Sequence, residues 1–181
     1  MDFQCFAFIA ASLDGFIARE DDDLSWLEDE TLKIPSEDYG YQEFFNSIDT
    51  IVLGRRTYET ISNFSKWPYA NKRVVVLSHA PLTLLGDTST IVESASLRPE
   101  ELVSYLKNTG SEKVYVDGGK TIQSFLEAGF IDEITLTIIP ILLGRGIPLF
   151  NSQSKECRLD LVHQKTYKNG YVQVRYRLSR G

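Results

Sequence analysis

The sequence is poor in the residues that carry metal and thiol chemistry. It has two cysteines and two histidines in 181 residues. Neither Cys5 nor Cys157 belongs to a Cys-x-x-Cys or Cys/His spacing, and His79 and His163 stand apart from any His-Glu-x-x-His pattern. A metal site is therefore not expected, because ligands recur at short fixed intervals when they must meet one ion. Both cysteines are expected to sit in strands as small buried hydrophobes. No apolar run approaches the roughly 20 residues of a membrane span. The start Met1-Asp2-Phe3-Gln4-Cys5 lacks the basic and apolar blocks of a secretory signal. Together these absences point to a cytoplasmic protein with no membrane partner. Positive charge is also short: 19 Lys and Arg stand against 25 Asp and Glu, for a formal net charge of -6. Such a chain is not built to neutralise a run of phosphates, so nucleic acid is not an expected partner. Any phosphate it takes should meet a small local basic cluster.

What is present is an ordinary globular composition, 43% hydrophobic and 24% charged, which suits one domain over residues 1–181. Short β-branched or aromatic runs alternate with helical patterns, the layout of an α/β fold. Strands are predicted near Phe3 to Ala10, Thr50 to Leu53, Arg73 to Leu77, Ser89 to Val92, Lys113 to Asp117, Glu133 to Ile139, Cys157 to Thr166 and Tyr171 to Leu178. Helices are predicted over Asp38 to Asn46, Thr57 to Ile61, Pro99 to Asn108 and Lys120 to Ala128. Lys168-Asn169-Gly170 separates the last two strands, and Asn-Gly favours the positive φ angles of a tight hairpin. The expectation is a mixed sheet of about eight strands flanked by about four helices, closed by an antiparallel hairpin. The acidic stretch Glu20 to Glu30 reads as a solvated loop.

Two segments combine strand, glycine and helix. In Thr50-Ile51-Val52-Leu53-Gly54-Arg55-Arg56-Thr57-Tyr58-Glu59, the free amides and positive dipole end of a helix gather beside two arginines. A phosphate is favoured there, and guanidinium groups bind it through paired bonds. A glycine turn with two solvated arginines is the plain alternative. In Lys113-Val114-Tyr115-Val116-Asp117-Gly118-Gly119-Lys120-Thr121-Ile122, adjacent glycines let backbone approach a ligand. Val114 stands where a phosphate-cradling Gly-x-x-x-x-Gly-Lys-Thr loop needs its first glycine, and Gly-x-Gly-x-x-Gly is absent.

The order of the motifs carries more than either alone. Ala10-Ala11-Ser12-Leu13-Asp14-Gly15-Phe16-Ile17-Ala18, Leu53-Gly54-Arg55-Arg56-Thr57-Tyr58-Glu59, Val75-Val76-Leu77-Ser78 and Val116-Asp117-Gly118-Gly119 follow in turn. With the tail Ile139-Pro140-Ile141-Leu142-Leu143-Gly144-Arg145-Gly146-Ile147-Pro148-Leu149-Phe150, the chain resembles the dihydrofolate reductase family over nearly its whole length. It is most similar to the bacterial branch related to the reductase domain of riboflavin biosynthesis.

The resemblance implies an NADPH-dependent reductase of a pteridine-like or ribityl-pyrimidine-like heterocycle. Arg55 would face the adenosine 2'-phosphate, and Arg56 and Thr57 the diphosphate at the turn begun by Gly54. Leu77, Ser78 and His79 would meet the adenine-ribose end. Gly118, Gly119, Lys120, Thr121 and Ile122 would cradle the diphosphate from the other side, and Ala10 and Ile17 would flank the nicotinamide. Asp38, sixteen positions before Gly54, matches the family's helix carboxylate. In a closed apolar pocket its pKa should rise, which suits proton delivery; Glu37 is the fallback. Thr137 matches an active-site threonine placed to bond Asp38 or the substrate, and Trp26 a tryptophan near the pocket.

Lys72, with Arg73 beside it, stands where a folate reductase places the arginine for the glutamate tail, and lysine lacks the planar fork, which argues against folate. No deaminase segment precedes the motifs in this sequence, so the bifunctional riboflavin enzyme is not expected. Related domains suggest a homodimer. A non-catalytic NADP-binding module of the same fold is the alternative function.

Overall fold

The computed structural model describes residues 3–29, 31–83, 91–150 and 156–179. The chain runs β1 (Gln4–Ser12), β2 (Phe16–Ala18), a 3-10 turn (Ser25–Leu27), α1 (Tyr41–Ser47), β3 (Thr50–Gly54), α2 (Arg55–Ser62) and β4 (Arg73–Leu77). It continues through β5 (Ile91–Ala95), α3 (Pro99–Asn108), β6 (Lys113–Asp117), α4 (Gly119–Glu127), β7 (Glu133–Ile139), β8 (Ile147–Pro148), β9 (Leu159–Thr166) and β10 (Val172–Leu178). Eight strands form one sheet in the order β5-β4-β3-β6-β1-β7-β10-β9, while β2 and β8 make a separate ribbon. Pairing is parallel from β5 across to β7 and antiparallel for β10 and β9. This is the mixed sheet, four-helix, terminal-hairpin architecture that the sequence pattern predicts.

The valine- and isoleucine-rich runs take the middle of the sheet because they can be buried on both faces. Alternation along them divides the core in two. Ile51, Leu53, Val74, Val76 and Tyr115 pack with Tyr58 and Ile61 of α2 and with Phe44 and Phe45 of α1. Val52, Val75, Val114 and Val116 pack on the other face with Leu102 and Leu106 of α3 and Ile122 and Phe125 of α4. α3 opens on Pro99 with Glu100 and Glu101 in its first turn, and the Arg98 amide donates to Glu101 Oε2 at 3.0 Å. Its dipole is thus compensated by its own side chains.

Several boundaries differ from expectation. β1 extends to Ser12, and β5 covers Ile91–Ala95; residues 89–90 of that prediction lie outside the described residues. α1 begins at Tyr41, because Ser36, Tyr39 and Gly40 all take positive φ and hold the preceding segment in turns. α2 begins at Arg55, which puts both arginines in its first turn. The hairpin closes over three residues: Tyr167 N–H donates to Tyr171 at 2.9 Å, Gly170 N–H to Tyr167 at 3.0 Å, and Gly170 has φ 85. Asn169 is not among the positive-φ residues, so this is a turn closed by a left-handed glycine. Cys5 is buried, but Cys157 precedes β9 and is exposed, in keeping with β9 lying at the sheet edge and being exposed along its whole length. β2, β8 and the 3-10 turn are elements the pattern did not reveal.

Candidate active site

β3 and β6 are neighbours, with Leu53 opposite Asp117. Each runs directly into a helix, so α2 and α4 start side by side at the carboxyl edge of the sheet, where α/β proteins bind ligands. Neither helix has a side-chain cap, and neither carries an acid in its first turn. Their opening amides and positive dipole ends are therefore left for something else to satisfy, in contrast to α3. The two turns also touch. Gly118 has φ 88, and a Cβ there would overlap Thr57 Oγ1. A Cβ on Gly54 would lie 3.0 Å from Thr121 Oγ1.

These turns open on a cleft of about 650 Å³, within the range of small-molecule sites. Of the residues expected to hold a cofactor, Ala10, Ile17, Gly54, Arg55, Arg56, Thr57, Leu77, His79, Gly118, Gly119, Lys120 and Thr121 line it. Ser78 and Ile122 do not. Ser78 Oγ donates to the Ala80 carbonyl at 2.7 Å, and Ile122 is fully buried on the core side of α4. Phe8, Leu24, Leu27, Ile61 and Phe64 supply apolar wall.

The loop after β1 is tied down by Asp14. Its carboxylate accepts Ser12 Oγ at 2.6 Å and the Leu143 and Gly144 amides at 3.1 and 2.7 Å, bonds that hold its pKa below the ordinary carboxylate value. Gln123 ties β8 to α4 by donating to the Pro148 and Leu149 carbonyls at 3.0 and 3.1 Å. These anchors set Ile17 against Gly119 at the cleft.

The acidic stretch is not merely solvated. Asp22, at φ 66, lines the cleft and pairs with Arg56 across it. Arg55 is held by Glu59 at 2.7 Å one turn along α2. Both guanidinium groups thus stand beside the paired helix starts, each with a carboxylate partner.

The three residues expected to do chemistry stand elsewhere. Asp38 is exposed, and its carboxylate accepts the Gly40 and Gln42 amides, each at 2.9 Å. Those bonds lower its pKa, the reverse of the expected rise, because the late start of α1 leaves Asp38 outside the helix as a cap. Glu37 accepts the Tyr39 amide at 2.9 Å and sits 4.0 Å from Lys165. Thr137 is buried and paired with Ala10 along β1, but its hydroxyl accepts from Gln173 Nε2 at 2.9 Å, not from Asp38. The same amide reaches the Tyr39 carbonyl at 2.9 Å. Trp26 is buried with Ile139 and Tyr171, its Nε1 unpartnered among the described residues. Lys72 donates to the Ile48 carbonyl and stacks over Phe45, and Arg73 pairs with Glu93 at 2.7 Å. Neither is left as a carboxylate clamp.

Sequence reasoning missed Asp117. It lines the cleft at the end of β6, with its carboxyl enclosed: Tyr69 Oη donates to Oδ2 at 2.5 Å and the Gly118 amide to Oδ1 at 2.8 Å. Burial pushes its pKa up, against the lowering effect of the Tyr69, Gly118 and Tyr115 bonds. The available signal was an acid closing an otherwise apolar strand immediately before two glycines.

Residues 5–173 match the family described as the RibD C-terminal domain. The uncharacterized protein YwjB of Bacillus subtilis is 32% identical over 179 residues, covering 97% of this chain and 98% of that one. A crystal structure from Shewanella sp. PV-4, of a protein ascribed to riboflavin biosynthesis, superimposes with a TM-score of 0.86 at 32% identity, covering 98% of this chain and all of that one. The fold is shared more distantly with two reductases. A deaminase/5-amino-6-(5-phosphoribosylamino)uracil reductase from Thermotoga maritima has a TM-score of 0.74 at 16% identity, covering 98% of this chain and 57% of that one. Dihydrofolate reductase from Enterococcus faecalis, solved with NADP(H), has a TM-score of 0.63 at 19% identity, covering 99% of this chain and all of that one.

Proposed function

Because the chain belongs to the RibD C-terminal domain family, we propose that it is an NADPH-dependent reductase of a pteridine-like or ribityl-pyrimidine-like heterocycle. The observation that carries this reading is the pair of helix starts of α2 and α4, uncapped and with no acid in their first turns, set side by side with two arginines at one end of an apolar-walled cleft. The residues fit a dinucleotide: the turn at Gly118 leaves no space for a side chain, so backbone amides themselves form the wall. Gly54 to Thr57 and Gly118 to Thr121 would hold the diphosphate, Arg55 the 2'-phosphate, and Ala10 and Ile17 the nicotinamide. When bound, the cofactor supplies a hydride. The chain's part is to orient the two rings, and Phe8, Ile17, Leu24 and Leu27 exclude water from between them.

Titration of the protein with NADPH and NADH tests the reading. Arg55→Ala should weaken NADPH about tenfold, the lower range for a charge-assisted bond because the side chain is 43% exposed. NADH, lacking the extra phosphate, should be nearly unaffected. Equal losses for both remove the assignment of Arg55, and no binding of either removes the reductase reading.

The displacement of Asp38, Thr137 and Trp26 from the cleft lining favours one rival, an NADP-binding module without turnover. NADPH absorbance followed with dihydrofolate, dihydropterins and ribityl pyrimidines separates the two: binding without oxidation across the panel selects the module.

A further inference from the structure

Among the described residues two carboxyl groups line the cleft, those of Asp22 and Asp117. Asp22 is on an exposed loop and already paired with Arg56. Asp117 is different in kind. Its carboxyl is enclosed on the protein side by the phenols of Tyr69 and Tyr115, with Tyr41 close enough to feel its charge, and its remaining accessible face is the cleft. The single proton of Tyr115 Oη goes to the Phe8 carbonyl at 2.9 Å, which fixes that ring against the wall. A carboxyl used only to knit the fold would not need to open on the cleft beside the amide of Gly118.

Resting on the reductase reading, we propose that Asp117 hands the proton to the heterocycle, and that Tyr69 is the positioning residue that holds it toward the cleft. The acceptor in this step is an imine. The hydride pair forms the new C–H bond at the imine carbon. The C=N π pair forms the N–H bond with the proton of Asp117, leaving an amine, the oxidised nicotinamide and the Asp117 carboxylate. Tyr69 Oη and the Gly118 amide stabilise that carboxylate until a solvent proton restores it.

The electrostatics agree with the geometry. Burial raises Asp117, and burial together with the Asp117 charge raises Tyr41, Tyr69 and Tyr115, so the cluster resists carrying charge. No cation is among the causes of the Asp117 shift, although Arg55, Arg56, Lys120 and His79 also line the cleft. Because the folded state favours the neutral acid, this group's stability contribution is complete below the ordinary carboxylate pKa. It is lost as pH rises through the elevated one.

The test is infrared difference spectroscopy of the protein with isotope-labelled aspartate, comparing wild type, Asp117→Asn and Tyr69→Phe. A protonated-carboxyl band should persist above the ordinary aspartate range, vanish in Asp117→Asn, and titrate at higher pH in Tyr69→Phe, which has lost a donor to the charged form. Melting temperatures should fall with rising pH in wild type relative to Asp117→Asn. With 7,8-dihydropterin as probe, Asp117→Asn should lower kcat by about 10²–10⁴-fold with little change in KM, and NADPH affinity should be unchanged. Wild type failing to bind NADPH overturns the reductase reading. A carboxyl deprotonated throughout, or NADPH-bound Asp117→Asn matching the wild-type kcat, overturns the role of Asp117 alone.

Discussion

Gly118→Ala is the substitution on which the geometry of the paired helix starts can be judged. Gly118 sits at φ 88 and ψ 135, outside the regions open to residues with a Cβ, and the added methyl would overlap Thr57 Oγ1. Backbone strain of this type is worth about 1–3 kcal/mol, and forcing Thr57 from its rotamer adds about 1 kcal/mol. A total of about 2–4 kcal/mol should lower the melting temperature of a chain this size by roughly 5–15 °C. The turn can relieve the overlap only by shifting the amides at the start of α4, so NADPH should bind at least about tenfold more weakly. Thr57→Ala introduced beside Gly118→Ala removes the obstructing hydroxyl, and should recover the overlap part of the melting loss but not the backbone part. Differential scanning fluorimetry with and without NADPH, and a fluorescence titration, read both quantities. A Gly118→Ala protein that melts with wild type and binds NADPH equally refutes the idea that the two turns are locked together to expose their amides.

Asp22→Ala should tighten NADPH binding about two- to fivefold at low salt, the value of an exposed ion pair, because Arg56 no longer gives up a carboxylate to receive a phosphate; titrations at low and high salt check this, and a weaker complex would show that Asp22 holds the loop closed over the cofactor. Gln173→Ala leaves the Thr137 hydroxyl and the Tyr39 carbonyl without their shared donor, and should lower stability by about 1–3 kcal/mol in chemical denaturation while leaving NADPH affinity intact. A loss of affinity without a loss of stability would instead return Thr137 to the binding site.

The strands that matter most to the site were legible because their composition allows little else. β3 and β4 are runs of valine, isoleucine and leucine, β6 sets two valines around Tyr115, all three are bounded by glycine or polar residues, and they occupy the places that the sequence pattern predicts. Gly54, Gly118 and Gly119 stood out for the same local reason. β2 and β8 were invisible, since three and two residues are too few to show alternation, and they pair across more than a hundred residues. The Asp22–Arg56 contact spans 34 positions and the Tyr69–Asp117 contact 48. No window along the chain could reveal either, because each depends on which strands the sheet sets next to one another.

The likeness to dihydrofolate reductase carried Asp38 into the pocket by counting back from Gly54, a count that assumes α1 begins where the family's helix begins. Here positive φ angles at Ser36, Tyr39 and Gly40 hold the chain in turns until Tyr41. The short helix that follows lays Tyr41, Phe44 and Phe45 over Phe8, Tyr69 and Tyr115. An aromatic layer thereby covers the face of the sheet beneath α1. An acid inside that layer would bear the desolvation penalty of a buried charge, which explains why Asp38 lies outside it, bonded to two amides and ionised. The same layer supplies the phenols that let a carboxyl survive at the end of β6. Burial among these rings pushes the Asp117 pKa above the ordinary carboxylate value, with no cation among the causes to oppose it. The aromatic packing beneath α1 therefore also creates, one strand from β1, the surroundings that favour the neutral form of Asp117.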